Sequence, residues 1–335
     1  MKKVLPILII IGIFVGLVWL FSGKFFQNQL PKYTGPVEKI TLGKVNAEDS
    51  ALILVAQEKG FFAGNGLEVT FKDYQSGGAG IKDLMTGNAD IVTAGEFAAV
   101  NNIFDNESLR IVVTIRSGEG IELIARRDKG VSKIPDLKGK KIGVTKKTGP
   151  EFALGNFLAF NNIARSDVTI VDLSPAQLVK AISNGEVDAV MIFNPFAYNI
   201  KKQLGDTVIS LQGQSGRQQY FLLIARKQLV DSRPEMLKRL LLALLQAETF
   251  VANNPKQTQD FLTKQLQYEQ PYLAATWSNH HFNLSLDQSL LVSMEDEGRW
   301  VIANKLTDKT VIPNYTDFIY TDALRKIKPE AVLLY

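Results

Sequence analysis

Cysteine is absent from the 335 residues, and histidine occurs only twice. Without cysteine there is no disulfide, thiol nucleophile, iron–sulfur ligation or thiolate zinc site. The histidines, His280 and His281, are adjacent. Neighbouring helical positions point about 100° apart, so the pair is a poor metal clamp and reads as two surface residues. No metal and no cofactor are expected. An excess of one charge is also missing: 38 Lys and Arg against 34 Asp and Glu leave a net charge of +4. No basic block is interleaved with aromatics, which argues against nucleic acid as a partner. What is present is ordinary, 46% hydrophobic and 21% charged residues, in a length that suggests two domains and a sizeable core.

A long apolar run occurs in one place. Met1-Lys2-Lys3 precedes Val4–Phe21, whose 18 residues carry no charge. As a helix they would span ~27 Å, close to the hydrocarbon thickness of a bilayer. A cleaved signal peptide has a shorter apolar core and small residues at its cut. Here Trp19-Leu20-Phe21 runs into Ser22-Gly23-Lys24, and no cysteine is available for lipidation. Residues 1–23 therefore read as an uncleaved N-terminal transmembrane helix, with a signal segment as the alternative, and residues 24–38 as a linker. The leading lysines orient the remainder to the periplasmic or extracellular face of the cytoplasmic membrane.

From Lys39 the chain alternates β-rich runs with helical stretches. "KITLGKV", "LEVTFKDY", "ADIVTAG", "RIVVTIRS" and "IELIARR" predict strands, and "SALILVAQEKGFF" and "GAGIKDLMTG" predict helices. The program restarts with "KKIGVTK", "GPEFALGNFLAFNN", "DVTIVDL", "SPAQLVKAISNG" and "VDAVMIF". This order predicts α/β lobes with parallel sheets. After Val230 the pattern becomes helical and is expected to complete the first lobe, with Trp300 and the leucine stripes in its core.

Two echoes tie the halves together. "LMTGNADIVTAGEF" at 84–97 returns 98 residues later as "ISNGEVDAVMIFNP" at 182–195. Gly87 falls on Gly185, Asp90 on Asp188, and Glu96 on Asn194. The glycines suit helix ends, and the aspartates suit turns entering buried strands. "LIAR" at Leu123 also recurs at Leu223, which predicts a pair of hinge strands bracketing a second lobe. The expected division is 39–126 with 221–335 for lobe 1, and 127–220 for lobe 2.

"ALILVAQEKGFFAGNGLEVTF", "LMTGNADIVTAG", "IPDLKGKKIGVTKKTGPEFAL", "LSPAQLVKAISNGEVDAVMIFNPFAY" and "GRWVIANKLTDKTVIPNYTDFIYTDALRKIKPEAV" resemble the substrate-binding proteins of ABC importers. The group is the aliphatic sulfonate, nitrate, taurine and thiamine-precursor binding family, and the resemblance covers nearly all of 39–330. It implies a two-lobed type II periplasmic-binding-protein fold, a small-molecule ligand in the cleft, and an ABC permease as membrane partner; a monomer is expected. Most such proteins are secreted free or held by a lipidated cysteine, so an N-terminal anchor departs from the pattern.

In open parallel sheets ligands lie beyond the carboxyl ends of strands, beside helix N-termini. Those positions are Asp49 and Ser50, then Ser76, Gly77 and Gly78, then Glu96 and Phe97, and Arg116 in lobe 1. In lobe 2 they are Thr148 and Gly149, Ser174 and Asn194, with Arg217, Gln219 and Tyr220 ahead of the returning strand. Glycine-rich helix entries can offer N–H groups to an anion, and Arg116 could grip a sulfonate or carboxylate in bidentate fashion. Glu96 would instead hold an amine, so the two together suggest a zwitterion such as an amino-sulfonate. A sensor for a pyrimidine or amine is the alternative. Catalysis is not expected: relatives that make a thiamine pyrimidine use histidine and a cysteine-rich iron motif, and this chain lacks that equipment.

Overall fold

A computed structural model describes residues 33–212 and 217–334. The predicted anchor over 1–23 lies outside the described residues, among which no helix is long and apolar enough to cross a membrane. From Val37 onward the chain builds two α/β lobes. The first sheet has the order β11-β4-β10-β3-β1-β2, from β1 (Glu38–Val45), β2 (Leu67–Tyr74), β3 (Ile91–Gly95), β4 (Leu109–Gly118), β10 (Gln219–Arg226) and the short β11 (His280–His281). The second has the order β7-β6-β8-β5-β9, from β5 (Ile121–Arg126), β6 (Lys141–Val144), β7 (Thr169–Asp172), β8 (Ala189–Phe193) and β9 (Val208–Gln212). In each, a parallel trio is extended by an antiparallel strand: β10 on β3, and β5 on β8. Their central strands are apolar because both faces are covered; Leu42, Ile91, Val92, Val190, Leu222 and Ile224 are fully buried.

The sheets correct the expected lobe boundary and the role of the "LIAR" strands. β5 hydrogen-bonds only within the second sheet, to β8 and β9, so the chain changes lobe at Gly118–Gly120, before that strand. It returns between β9 and β10. Each "LIAR" strand is the antiparallel member of its own sheet. Ile121 lies opposite Phe193, and Phe221 opposite Gly95, the position 98 residues earlier.

The longer echo has a physical explanation in both copies. Gly87 and Gly185 close their helices at φ 79° and 71°, a region that favours glycine. Asp90 accepts from the Thr41 amide at 2.7 Å, and Asp188 from the Lys141 amide at 2.8 Å, fixing each strand entry to its neighbour. Arg126 donates to the carbonyls of Ile182 and Ser183 at 2.7 and 2.9 Å. Arg226 donates likewise to those of Leu84 and Ala89. A cation at each helix carboxyl end satisfies carbonyls that have no partner within the helix.

The C-terminal helices complete lobe 1, as their periodicity predicts. Helix Pro234–Asn253 buries Leu237, Leu240, Leu241 and Leu244 in the core that also holds β1, β3 and β10. The stretch "TKQLQYEQPYLAATW" is not one helix: helix Pro255–Gln265 ends within it and Tyr272–Thr276 starts anew, with Gln267 at positive φ and Pro271 between them. Proline cannot donate the backbone bond that would carry the helix through.

Gly118 is the tightest point of the first crossing. Its φ is 148°, and a Cβ there would lie 1.9 Å from the carbonyl oxygen of Asn279. Gly118→Ala should lower the unfolding free energy by about 2–4 kcal/mol, as expected for strain plus a backbone clash. Gly78→Ala, on a helix with open space around it, should be neutral or stabilising by up to about 1 kcal/mol. Urea midpoints of the two variants check the contrast.

Candidate functional site

The carboxyl end of β3 and the start of β10 face the second lobe across a cavity of about 460 Å³. Lobe 1 contributes Glu96, Arg217, Gln219 and Glu297; lobe 2 contributes Ile121 and, from helix Gly149–Phe160, Gly149, Phe152, Asn156, Phe157 and Phe160. Glu96 is the first residue of helix Glu96–Ile103, where N–H groups without helical partners favour a carboxylate. Its Oε2 accepts from the Tyr220 amide at 3.0 Å. Burial nevertheless dominates and pushes its pKa up to about 7, against the pull of those amides, Arg116 and Arg217.

Glu297 sits on helix Gln288–Ala303, which packs against the helix that begins at Glu96. It is 2% exposed, and its Oε2 has no partner. Burial and the neighbouring Glu96 hold its carboxyl well above the usual range. Arg217 is the cation of the cavity. Its guanidinium lies 4.8 Å from the centre of the Phe152 ring, 3.3 Å from Asp296, and donates to the Ser293 carbonyl at 3.1 Å. Phe152 in turn stacks on Phe97 at 5.6 Å and meets Trp300 edge-on at 5.6 Å. Gly155 makes room for that indole: a Cβ there would lie 2.6 Å from its Nε1. The three rings join the lobes behind the cavity wall.

Four of the positions singled out in the sequence, Glu96, Gly149, Arg217 and Gln219, line this cavity. Phe97, Tyr220 and Thr148 stand directly behind it. Phe97 belongs to the aromatic cluster, the Tyr220 hydroxyl pairs with Ser289 at 2.8 Å, and the Thr148 hydroxyl donates to the Thr145 carbonyl ahead of Gly149. Trp300, expected in the core, proves half-buried at the seam between lobes.

The others have structural employment elsewhere. Arg116 is 3% exposed and does not reach the cavity as the anion grip expected of it. Its Nε lies 3.2 Å from Asp49 and donates to His280 Nδ1 at 3.0 Å, and its Nη2 donates to the Glu119 carbonyl at 3.4 Å. Asp49 and Arg116 thus brace the first crossing. His280 corrects the surface reading of the histidines: it is buried, stacked on Phe282 at 5.5 Å, and its burial beside Arg116 keeps it neutral. The Ser50 hydroxyl donates to the Val45 carbonyl, Ser76 caps helix Gly77–Met85, and Ser174 pairs with Gln177 in a capping box. Gly77 packs on Ala94, and nothing crowds Gly78.

Asn194 faces a separate space of about 430 Å³, also between lobes, with Glu122, Tyr198, Lys201, Thr276 and Asn279. There Lys201 bonds both oxygens of Glu122 at 2.7 Å, and Lys202 pairs with Glu269. Its charges answer one another, whereas the first cavity leaves a buried carboxyl oxygen open. The first is the better candidate site.

Glu297, Asn156 and the phenylalanines of helix Gly149–Phe160 escape sequence reading. Glu297 leaves one trace: Leu290, Met294, Glu297 and Val301 are all buried at helical spacing, so an acid interrupts an apolar stripe. Such a break points to a pairing or a site.

Comparison with known proteins follows this geometry. The sequence profile of the NMT1/THI5-like family matches residues 47–258. A binding protein of Brucella abortus is 27% identical over 252 residues, 74% of this chain and 77% of its own. The taurine-binding periplasmic protein of Escherichia coli is 24% identical over 205 residues, 60% and 63% of the two chains. The periplasmic aliphatic sulphonate binding protein SsuA of Escherichia coli superposes with a TM-score of 0.75 over 85% of this chain and 98% of its own, at 16% identity. The desulfurization enzyme DSZB superposes at 0.66 over 86% and 98%, at 17% identity. These likenesses establish the two-lobed periplasmic-binding-protein fold.

The buried acids set a pH dependence. A carboxyl whose pKa is raised on folding adds stability below its unfolded value, and that contribution is lost as pH rises through the folded value. For Glu96 the window runs from 4.5 to about 7. Urea midpoints should therefore fall between pH 5 and pH 8, and the Glu96→Gln variant should show a shallower fall.

Proposed function

The chain belongs to the NMT1/THI5-like family, and on that premise we propose that it is the extracytoplasmic solute-binding component of an ABC importer. It holds one small organic solute in the cavity between Glu96, Arg217 and Glu297 on one lobe and helix Gly149–Phe160 on the other. The observation that carries this reading is the composition of that cavity. Both lobes wall it, its few polar groups converge on a shared space, and aromatic rings cover the rest, as solute pockets are commonly built. The backbone crossing at Gly118–Gly120 lets the two lobes part and close about the solute. Similarity to binding proteins named for taurine and sulphonates supports a small zwitterion, its basic nitrogen toward Glu96 and Glu297. An N-terminal anchor would hold the chain at the periplasmic or extracellular face of the cytoplasmic membrane beside its permease.

Enzyme chemistry is the second reading, because a desulfurization enzyme shares the fold. The cavity lining includes acids, amides, an arginine and apolar groups, and no hydroxyl, imidazole or amine nucleophile among the described residues. An acid pair without a nucleophile and its orienting base suits capture better than turnover.

Native mass spectrometry of the purified chain should find one small solute per molecule, released chemically unchanged on denaturation. Gly149→Val, which pushes a branched side chain toward Gln219 Nε2, already 3.1 Å from a Cβ position, should reduce occupancy at least tenfold. Recovery of a transformed product instead would establish the enzyme reading.

A further inference from the structure

The two acids of the cavity are an unusual provision for a site that would hold only an anion. Glu96 and Glu297 are 5% and 2% exposed, stand on two helices that pack together, and both line the cavity. Two carboxyl groups buried beside one cavity repel when both are ionised, so the pair favours holding one proton. The Oε2 of Glu297 is buried and has no hydrogen-bond donor in the fold, so one acceptor of the pair is unsatisfied. The surrounding groups are few. Arg116 from β4, Arg217 ahead of β10, Tyr220 on β10, Asp296 beside Glu297 and Tyr315 beyond it are the charged or titratable neighbours. Arg116 is taken up by Asp49 and His280, and Arg217 by Asp296 and Ser293.

We propose that Glu96 and Glu297 work as one acid–carboxylate unit that accepts a flat nitrogen cation, an amidinium or guanidinium, and gives up its shared proton as that cation binds. This rests on the reading of the inter-lobe cavity as the solute site and names the chemistry that site selects. A planar cation with two parallel N–H donors can address two carboxylate oxygens at once. Its charge replaces the proton that otherwise keeps the acids from repelling, so the proton leaves to solvent and the local charge stays balanced. The flat body of the ligand meets Phe152, Phe157, Phe160 and Ile121. The cavity already displays this chemistry in miniature, because the Arg217 guanidinium lies over the Phe152 ring while an acid, Asp296, holds its edge.

Glu297 is then the specificity-determining residue. An anionic solute would need the opposite protonation: both acids neutral, donating hydrogen bonds and taking up a proton as the ligand enters. The sign of the proton change therefore separates the two cases. Benzamidine and benzenesulfonate share one ring and carry opposite charges, so they form a matched pair of probes. Calorimetry of the full-length chain in detergent, repeated in buffers of different ionisation enthalpy, counts the protons.

Benzamidine is expected to bind with release of up to about one proton at pH 6, and its affinity should rise by up to about tenfold per pH unit below the midpoint of the pair. Glu297→Gln should weaken benzamidine at least tenfold and reduce the proton release; the wild-type proton count stands by itself should that variant fail to fold. Proton uptake with benzenesulfonate, or recovery of a native solute without a basic nitrogen, overturns the proposal and leaves solute capture intact. Absence of any recovered solute together with no binding of either probe removes both.

Discussion

Carboxyl groups held out of water at the seam between the lobes are the constraint around which this molecule is arranged. Glu48, Glu96 and Glu297 are each 5% exposed or less, and burying a carboxylate without compensation costs far more than a domain's net stability. The chain answers each differently. Glu48 receives the hydroxyls of Tyr268 and Tyr272, both from the C-terminal helical segment. Glu96 receives a helix N-terminus and the Tyr220 amide. Glu297 lies on a helix packed against that of Glu96, and its buried Oε2 has no hydrogen-bond donor. Two are thereby satisfied by the fold, and the third keeps one oxygen unsatisfied.

The cation side is organised by the same need. Arg126 and Arg226 close equivalent helix ends in the two lobes, and Arg116 ties Asp49, His280 and Glu119 together at the first crossing. Among the described residues, only Arg217 is a cation set against the cavity wall. Its ring contact with Phe152, worth about 1 kcal/mol where partly desolvated, links lobe 1 to a helix of lobe 2. Phe97 and Trp300 strengthen that link. The aromatic seam and the acid pair thus occupy one place, and a solute entering there meets the surfaces that join the lobes.

Much of this architecture is legible in the residues. Strands, helices and the duplicated half follow from periodicity and from Gly87, Gly185, Asp90 and Asp188, because those positions answer to local backbone geometry. The rule that ligands gather beyond strand ends picks Glu96, Gly149, Arg217 and Gln219, which line the cavity. The same rule also selects Ser76, Ser174, Ser50 and Arg116, which have caps, turns and a hinge to serve. Local pattern cannot tell a helix cap from a ligand donor, since both place the same polar atoms at the same helix end. Glu297 and Phe152 come from helices far apart in the chain, and only lobe packing brings them together.

By itself, then, the order of residues determined the α/β class, the repeat and the family, since each depends on interactions within about one βαβ unit or on similarity along the chain. The tertiary structure decided where the chain changes lobe, which arginine faces the cavity, and that two acids share it. Those outcomes turn on desolvation and on contacts between residues 96, 152, 217 and 297, a separation across which sequence pattern carries no distance information.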